Sequence, residues 1–151
     1  MSDQELLDYS GEHVAYEVNM LRQTAQRLRE PNIDPVLRNA LIESCGIHLR
    51  TLIYFLYHEE PRANDIVAAD FFDDPAEWEQ VRPLPSASLR TARDRASTEL
   101  AHFTTKRKGP GDRGKAWAFP SLIGDLLNTL QAFGENASNA KLHQKVQQAL
   151  R

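Results

Sequence analysis

A chain of 151 residues with 41% hydrophobic and 26% charged residues has the composition of one folded domain with a single core, which excludes disorder of the whole chain. No run approaches the roughly 18 consecutive apolar residues of a membrane span, and the acidic start is unlike a secretory signal. The single cysteine, Cys45, excludes an internal disulfide and a thiolate zinc cluster. We therefore expect one cytoplasmic domain, residues 1–151, that packing holds together and that needs no cofactor.

The first predicted helix covers residues 3–29, because small and apolar residues recur there at spacings of three and four. These residues are Leu7, Gly11, Val14, Val18, Leu21, Ala25 and Leu28. A second helix begins with Asp34 as its N-cap and Pro35 at its first helical position. Because this helix is apolar around most of its circumference, Leu37 and Ile47 included, we expect it to be the most buried element.

The middle of the chain loses this periodicity. Residues 59–85 contain several prolines and are predicted to form a long crossover, with a short helix that starts at Asp74 and Pro75. A third helix is predicted for residues 86–105, and the basic loop of residues 106–116 follows it.

A fourth helix is predicted for residues 120–133, with Gly134 placed as its left-handed C-terminal residue, and a short last helix for residues 139–150. No alternating run of strand length occurs. The sequence therefore predicts an all-α fold: a four-helix bundle with an extra short C-terminal helix and a long crossover between the second and third main helices.

The net charge of −3 hides two oppositely charged stretches. Residues 59–79 contain eight acidic residues against Arg62 alone, and residues 82–115 contain nine basic residues against three acidic ones. Two interpretations stay open: solvated faces that neutralise each other, within a monomer or across a dimer, and a surface that attracts polyanions. Together with the apolar second helix, the opposed charges predict a symmetric homodimer.

His48 lies in the most apolar part of the second helix, where a histidine is typically buried with one polar partner. The third helix carries a polar stripe of Arg95, Glu99 and His102, in which the first and last residues are nearly eclipsed. Packing of the two helices would bring this stripe towards His48, and also towards two further charged residues of the second helix, Glu43 and Arg50. A buried ionic network that fixes the helix register and a catalytic site are both consistent with this pattern.

Glu99 and His102 also have the ExxH spacing of metal-binding helical bundles, but such sites need a second ExxH and two further glutamates. Glu43 and His48 are five residues apart, which turns them about 140° away from each other on a helix. Since only half of a site is present, the sequence predicts no metal.

Arg95, followed by six residues and then His102, fits the RX4-6H pattern, and in this respect the chain resembles the HEPN superfamily. The resemblance implies a compact α-helical domain, commonly dimeric, that acts as a metal-independent ribonuclease. Ala96 departs from the polar residue that often follows the arginine in that family. Residues 39–57 are also similar to a core helix of uncharacterised bacterial proteins, a similarity that implies no function.

If this resemblance holds, His102 acts as general acid or base and Arg95 binds the phosphate, with Glu99 in the same catalytic set. The basic residues that follow, Lys106, Arg107 and Lys108, would hold flanking phosphates of a single-stranded RNA. His48, Arg50 and Glu43 are the remaining candidate binding residues. Two alternatives stay open: a non-enzymatic helical module that binds a partner protein, and a metal-dependent bundle enzyme.

Overall fold

The structure is a computed structural model that describes residues 1–58, 60–100 and 116–151. Within these ranges every regular element is a helix and no β-strand occurs, so the predicted all-α class is confirmed. None of the helices in these ranges is both long enough and apolar enough to cross a membrane.

The N-terminal helical stretch consists of α1 (Asp3–Tyr9), a first π segment (Ser10–Val14) and α2 (Ala15–Arg27). It starts with a capping box, in which the Ser2 hydroxyl accepts from the backbone N–H of Glu5 and the Glu5 carboxylate accepts from the backbone N–H of Ser2. The stretch follows the prediction in its extent and departs from it at the π segment.

The first π segment shifts the buried face by one residue. Leu6 and Ser10 are buried where the α-helical spacing predicts Leu7 and Gly11, which are only half-buried. A π turn contains about one residue more than an α turn, so the three-and-four spacing that fits the buried face of α2 is one residue out of register with the buried face of α1. The Ser10 hydroxyl donates to the carbonyl of Leu7 (2.9 Å) and accepts from the backbone N–H of His143 (2.9 Å).

The second predicted helix is α3 (Pro35–Tyr57), and Asp34 caps it by accepting from the N–H groups of Val36 (2.9 Å) and Leu37 (3.1 Å). Its C-terminal half is buried, whereas residues 34–40 are exposed. Nine residues of this helix are buried, but Leu37 (53% exposed) and Ile47 (49% exposed) are exceptions to the expected burial. The start of α3 extends beyond the helices that cover its second half.

The crossover folds onto the core through a 3₁₀ turn (Ala68–Phe71) and α4 (Pro75–Val81), the short helix that Asp74 and Pro75 predict. Phe71 meets Phe55 and Phe133 edge to face, with ring centroids 5.9 and 5.6 Å apart. The indole N–H of Trp78 donates to the carbonyl of Leu56 (3.0 Å), so this buried donor is satisfied. The crossover is therefore part of the core.

The third predicted helix contains α5 (Ala87–Arg95) and continues as a second π segment (Ala96–Leu100). Ser86 caps α5 by accepting from the N–H of Leu89 (3.1 Å). The rest of the predicted helix, residues 101–105, and the basic loop up to residue 115 lie outside the described residues.

The chain ends with α6 (Phe119–Asn136) and α7 (Gln144–Leu150). Two predictions are wrong here. Gly134 lies inside α6 and does not end it in a left-handed conformation; a Cβ at this position would lie 3.0 Å from the Leu150 side chain, so the glycine lets α7 approach. The last helix begins at Gln144 and not near residue 139, because His143 caps it by accepting from the N–H of Lys145 (3.1 Å).

Candidate functional site

The second π segment packs closely against the buried half of α3. A Cβ on Gly46 would lie closer than 3.0 Å to the Leu100 side chain, so only glycine fits at this point of α3 without a shift. One helical turn further along, the Arg50 Nε–H donates to the Ser97 hydroxyl (2.9 Å). Arg50 therefore ties α3 to the third helix through Ser97, which does not belong to the predicted polar stripe.

Arg95 and Glu99, two residues of the predicted stripe, form a charged pair. Nε and Nη2 of Arg95 donate to the two carboxylate oxygens of Glu99 at 3.1 and 3.0 Å, which is a bidentate fork. Nη1 donates to the Ala116 carbonyl (3.3 Å), and Cζ lies 4.3 Å from the centroid of the Trp117 ring. The side chains of Arg95 and Glu99 are 25% and 26% exposed, so the pair is open to solvent on one side.

His48 is buried, as predicted, but its partner was not predicted. Nδ1 lies 2.7 Å from the Glu17 carboxylate of α2, and the edge of the Tyr16 ring completes its surroundings at a centroid distance of 5.9 Å. With Glu17 ionised, Nδ1 carries the proton and donates it. The expectation that the third helix supplies the partner is wrong, because α2 covers this side of α3.

Glu43 takes no part in these contacts, since it is exposed on the first half of α3. His102 lies outside the described residues, and so do the three basic residues Lys106, Arg107 and Lys108. Among the predicted site residues that the structure describes, two thus belong to a charged pair on the third helix and one to a pair between α2 and α3.

No described group of three or more histidine, cysteine, aspartate or glutamate side chains is arranged to hold a metal ion. Glu99, half of the ExxH spacing, uses both carboxylate oxygens to bind Arg95. The described part of the chain therefore offers no ligand set to complete that spacing.

A polar cleft that the sequence did not predict opens between α1–α2 and the end of α3. It has a volume of about 350 Å³, and its lining includes Tyr9, His13, Glu17, Tyr54 and Asp65. Burial is the largest cause that raises the pKa of Tyr54, whose hydroxyl donates to Asp65 (3.0 Å).

The same tyrosine hydroxyl lies 2.5 Å from Nε2 of His58, and the two rings stack at 3.8 Å. The pKa of Asp65 is lowered, chiefly because its carboxylate accepts from the backbone N–H of Arg62 (2.9 Å). The spacing of four residues between Tyr54 and His58 is the only local sequence signal for this network, which closes the turn after α3.

No protein-family model, no curated protein and no solved structure matches this chain. Its function has to be inferred from the side chains themselves. Of these, Arg95 combines a fixed orientation, an aromatic neighbour and access to solvent, which is an arrangement suited to binding a phosphate.

Proposed function

We propose that this protein is a HEPN-like helical protein that binds single-stranded RNA and cleaves it without a metal ion. One observation carries the proposal: Glu99 and Trp117 orient the Arg95 guanidinium while 25% of the side chain stays exposed. A completely buried pair would favour a purely structural role. An oriented and accessible guanidinium matches the planar, bidentate acceptors that a phosphate offers.

In the proposed reaction the 2′-hydroxyl of the RNA attacks the adjacent phosphorus, so that a bond from O2′ to phosphorus forms while the bond to O5′ breaks. The phosphate takes the place of the Glu99 carboxylate on the Arg95 fork, and the guanidinium stabilises the charge of the phosphorane. The released Glu99 accepts the proton of the 2′-hydroxyl. His102, for which the resemblance implies a role as general acid or base, donates a proton to the leaving O5′.

The test is cleavage of a fluorescently labelled single-stranded RNA in the presence of EDTA. We expect Arg95→Gln and His102→Ala to abolish cleavage. Glu99→Gln should slow cleavage but tighten RNA binding, because it removes the anion that competes for Arg95. Arg93→Gln is the matched control: it removes an exposed arginine two residues away, whose ion pair within the described part of the chain is with Asp94, and should leave cleavage intact.

Stability separates this proposal from a purely structural network. Arg95→Gln removes a partly exposed pair worth about 0.3–0.5 kcal/mol and a cation–π contact worth about 0.5–1 kcal/mol, so the variant should stay folded. Lys106→Ala combined with Arg107→Ala should weaken RNA binding and leave turnover. A wild-type protein that cleaves no RNA, with an Arg95→Gln variant destabilised by several kcal/mol, would overturn the proposal.

The scaffold that we propose for this site is a four-helix bundle in a cytoplasmic protein. Its members are the stretch α1–α2, α3, the third helix that begins with α5, and α6. In support, α3 contacts α2, α5 and α6, and α2 also contacts α6.

A second candidate, a protein-interaction module, is favoured by the exposed start of α3. Val36 is 77% and Leu37 is 53% exposed, although both are large and apolar. The same surface supports the homodimer proposed above, because a two-fold axis would pair it with its copy. We expect sedimentation equilibrium to show a dimer that Val36→Glu with Leu37→Glu dissociates. A dimer without any RNA binding would favour the interaction module.

A further inference from the structure

A second cleft, of about 260 Å³, lies beside the proposed catalytic arginine. It is formed by the end of α2, the start of α3 and the start of α6, and its lining includes Arg29, Arg38, Trp117 and Phe119. Its other lining residues are all apolar, so the lining contains no acidic residue. The cleft therefore carries an unbalanced positive charge next to an aromatic surface.

The two arginines of this cleft have no protein partner among the described residues. Neither guanidinium makes a hydrogen bond or an ion pair there, although the neighbouring Arg27 is paired with Glu30 (3.0 Å). Two unpaired guanidinium groups around an opening without a carboxylate attract an anion with several acceptor oxygens, and phosphate fits their planar donor geometry.

The aromatic side of the cleft connects it with Arg95. The rings of Trp117 and Phe119 are parallel within 5° with centroids 5.3 Å apart, and Arg95 lies over the same indole. Aromatic rings interleaved with arginines are typical of surfaces that bind single-stranded nucleic acid, where bases stack and the phosphates contact the cations. The volume is below the roughly 300–1,000 Å³ of sites that enclose a small ligand, so the cleft can hold part of one nucleotide and not a duplex.

We propose that this cleft binds the nucleotide of a single-stranded RNA that neighbours the phosphate on Arg95. The inference rests on the proposed function, since it names the RNA-binding subsite of the same centre. Arg29 and Arg38 hold the phosphate of that nucleotide, and its base packs against the exposed part of Trp117.

The test measures binding of a labelled 2′-O-methyl oligouridylate of about 12 nucleotides, a length within the usual range of single-strand binding sites. This probe lacks the 2′-hydroxyl nucleophile and cannot be cleaved. We expect Arg29→Gln with Arg38→Gln to weaken binding at least tenfold. The slope of log K against log salt should fall by about 0.7, since the two arginines hold one phosphate and each lost single-strand phosphate contact contributes about 0.7.

Removing two arginines outside the cleft controls for a general electrostatic effect of lost positive charge on RNA binding. Arg27→Gln with Arg151→Gln removes two exposed arginines outside the cleft and should change affinity less than twofold. A third variant, Arg90→Gln with Arg93→Gln, tests the basic cleft between the end of α3 and α5. Equal losses in the Arg27 control, or a loss only in the Arg90 variant, would overturn the assignment.

Tryptophan fluorescence tests the base contact separately. Trp117 is partly exposed, whereas Trp78 is 2% exposed, so quenching by the oligonucleotide should come from Trp117. Trp117→Leu should abolish the quenching and weaken binding, and Trp117→Phe should restore affinity. Binding that heparin displaces and that leaves Trp117 unquenched would mean a nonspecific polyanion surface.

The same probe separates the two proposals. If this cleft is an RNA subsite, the oligouridylate should bind through Arg29 and Arg38 whether or not the protein cleaves RNA. This holds for a wild-type protein without cleavage activity and for inactive Arg95→Gln and His102→Ala variants. Absence of binding by the wild-type protein would overturn the subsite, whatever the result of the cleavage assay.

Discussion

The contact between Gly46 and Leu100 makes a quantitative prediction about how α3 holds the second π segment. In Gly46→Ala the new Cβ would lie closer than 3.0 Å to the Leu100 side chain, whereas carbon atoms pack best at about 3.5–4.0 Å. Overpacking costs about 1–3 kcal/mol, and we expect a value near the lower end here because the clashing atom is the terminal methyl of a partly exposed leucine, which can shift. Replacing a mid-helix glycine by alanine gains about 1 kcal/mol, so the net loss should be about 0–2 kcal/mol.

Gly124 supplies the matched control, since it also lies inside a helix, α6, and a Cβ there would meet nothing within 4 Å. Gly124→Ala should therefore stabilise the protein by up to about 1 kcal/mol. Urea unfolding of both variants gives the overpacking cost as their difference, about 1–3 kcal/mol. In a Leu100→Ala background, Gly46→Ala should no longer carry the overpacking cost, so a double-mutant cycle of the two positions should return that difference. Equal effects of the two alanine substitutions would refute the reasoning.

Three further predictions concern stability, and urea denaturation checks each of them. Glu17→Ala leaves the buried His48 without its partner. Complete burial of the pair would make this loss cost about 3–5 kcal/mol, but because the Glu17 side chain is 25% exposed we expect about 1–3 kcal/mol. Glu17→Gln should recover part of this stability. A loss below about 0.5 kcal/mol, as for an ordinary surface change, would contradict this role. Asp34→Ala removes the cap of α3 and should cost about 1 kcal/mol, and no change in the urea midpoint would argue against the cap. Burial raises the pKa of the Cys45 thiol from 9.0 to about 11, so the folded protein keeps a proton that the unfolded chain loses. The stabilisation that the protonated thiol gives is complete below pH 9 and disappears as the pH rises to 11. The free energy of unfolding should therefore fall by roughly 2–3 kcal/mol over this range in the wild-type protein, and Cys45→Ala should lack this loss. An equal decrease in stability with pH for the two proteins would contradict the prediction.

The helices that local rules define were predictable, and the departures from them have distant causes. Asp34 followed by Pro35 marks the start of α3 because capping needs only neighbouring residues. The first π segment is different, since Ser10 there accepts from His143, 133 residues further along the chain. The residue pattern of the first helix alone cannot show this distant contact. The buried positions were therefore predicted correctly in α2, whereas those before α2 were predicted one residue too far along the chain.

The candidate site divides in the same way. The pair of Arg95 and Glu99 follows from a spacing of four residues on one helix, which is a local rule. The need of a buried His48 for a partner was also predictable. Its identity was not, because Glu17 lies on a polar face of the first helix that looks solvated in the sequence, and only the packing of α2 on α3 brings it within 2.7 Å.

The second π segment bears directly on the proposed chemistry. Seven residues of α-helix turn about 700°, so Arg95 and His102 would be nearly eclipsed only if the α-helix between them were continuous. Ala96–Leu100 is π-helical, so the continuous α-helix on which the eclipsed arrangement was predicted is not present over these residues. The proposed reaction does not need eclipsed groups, because it assigns the phosphate oxygens to the arginine and the leaving O5′ to the imidazole. This division of roles also agrees with a motif that tolerates four to six intervening residues.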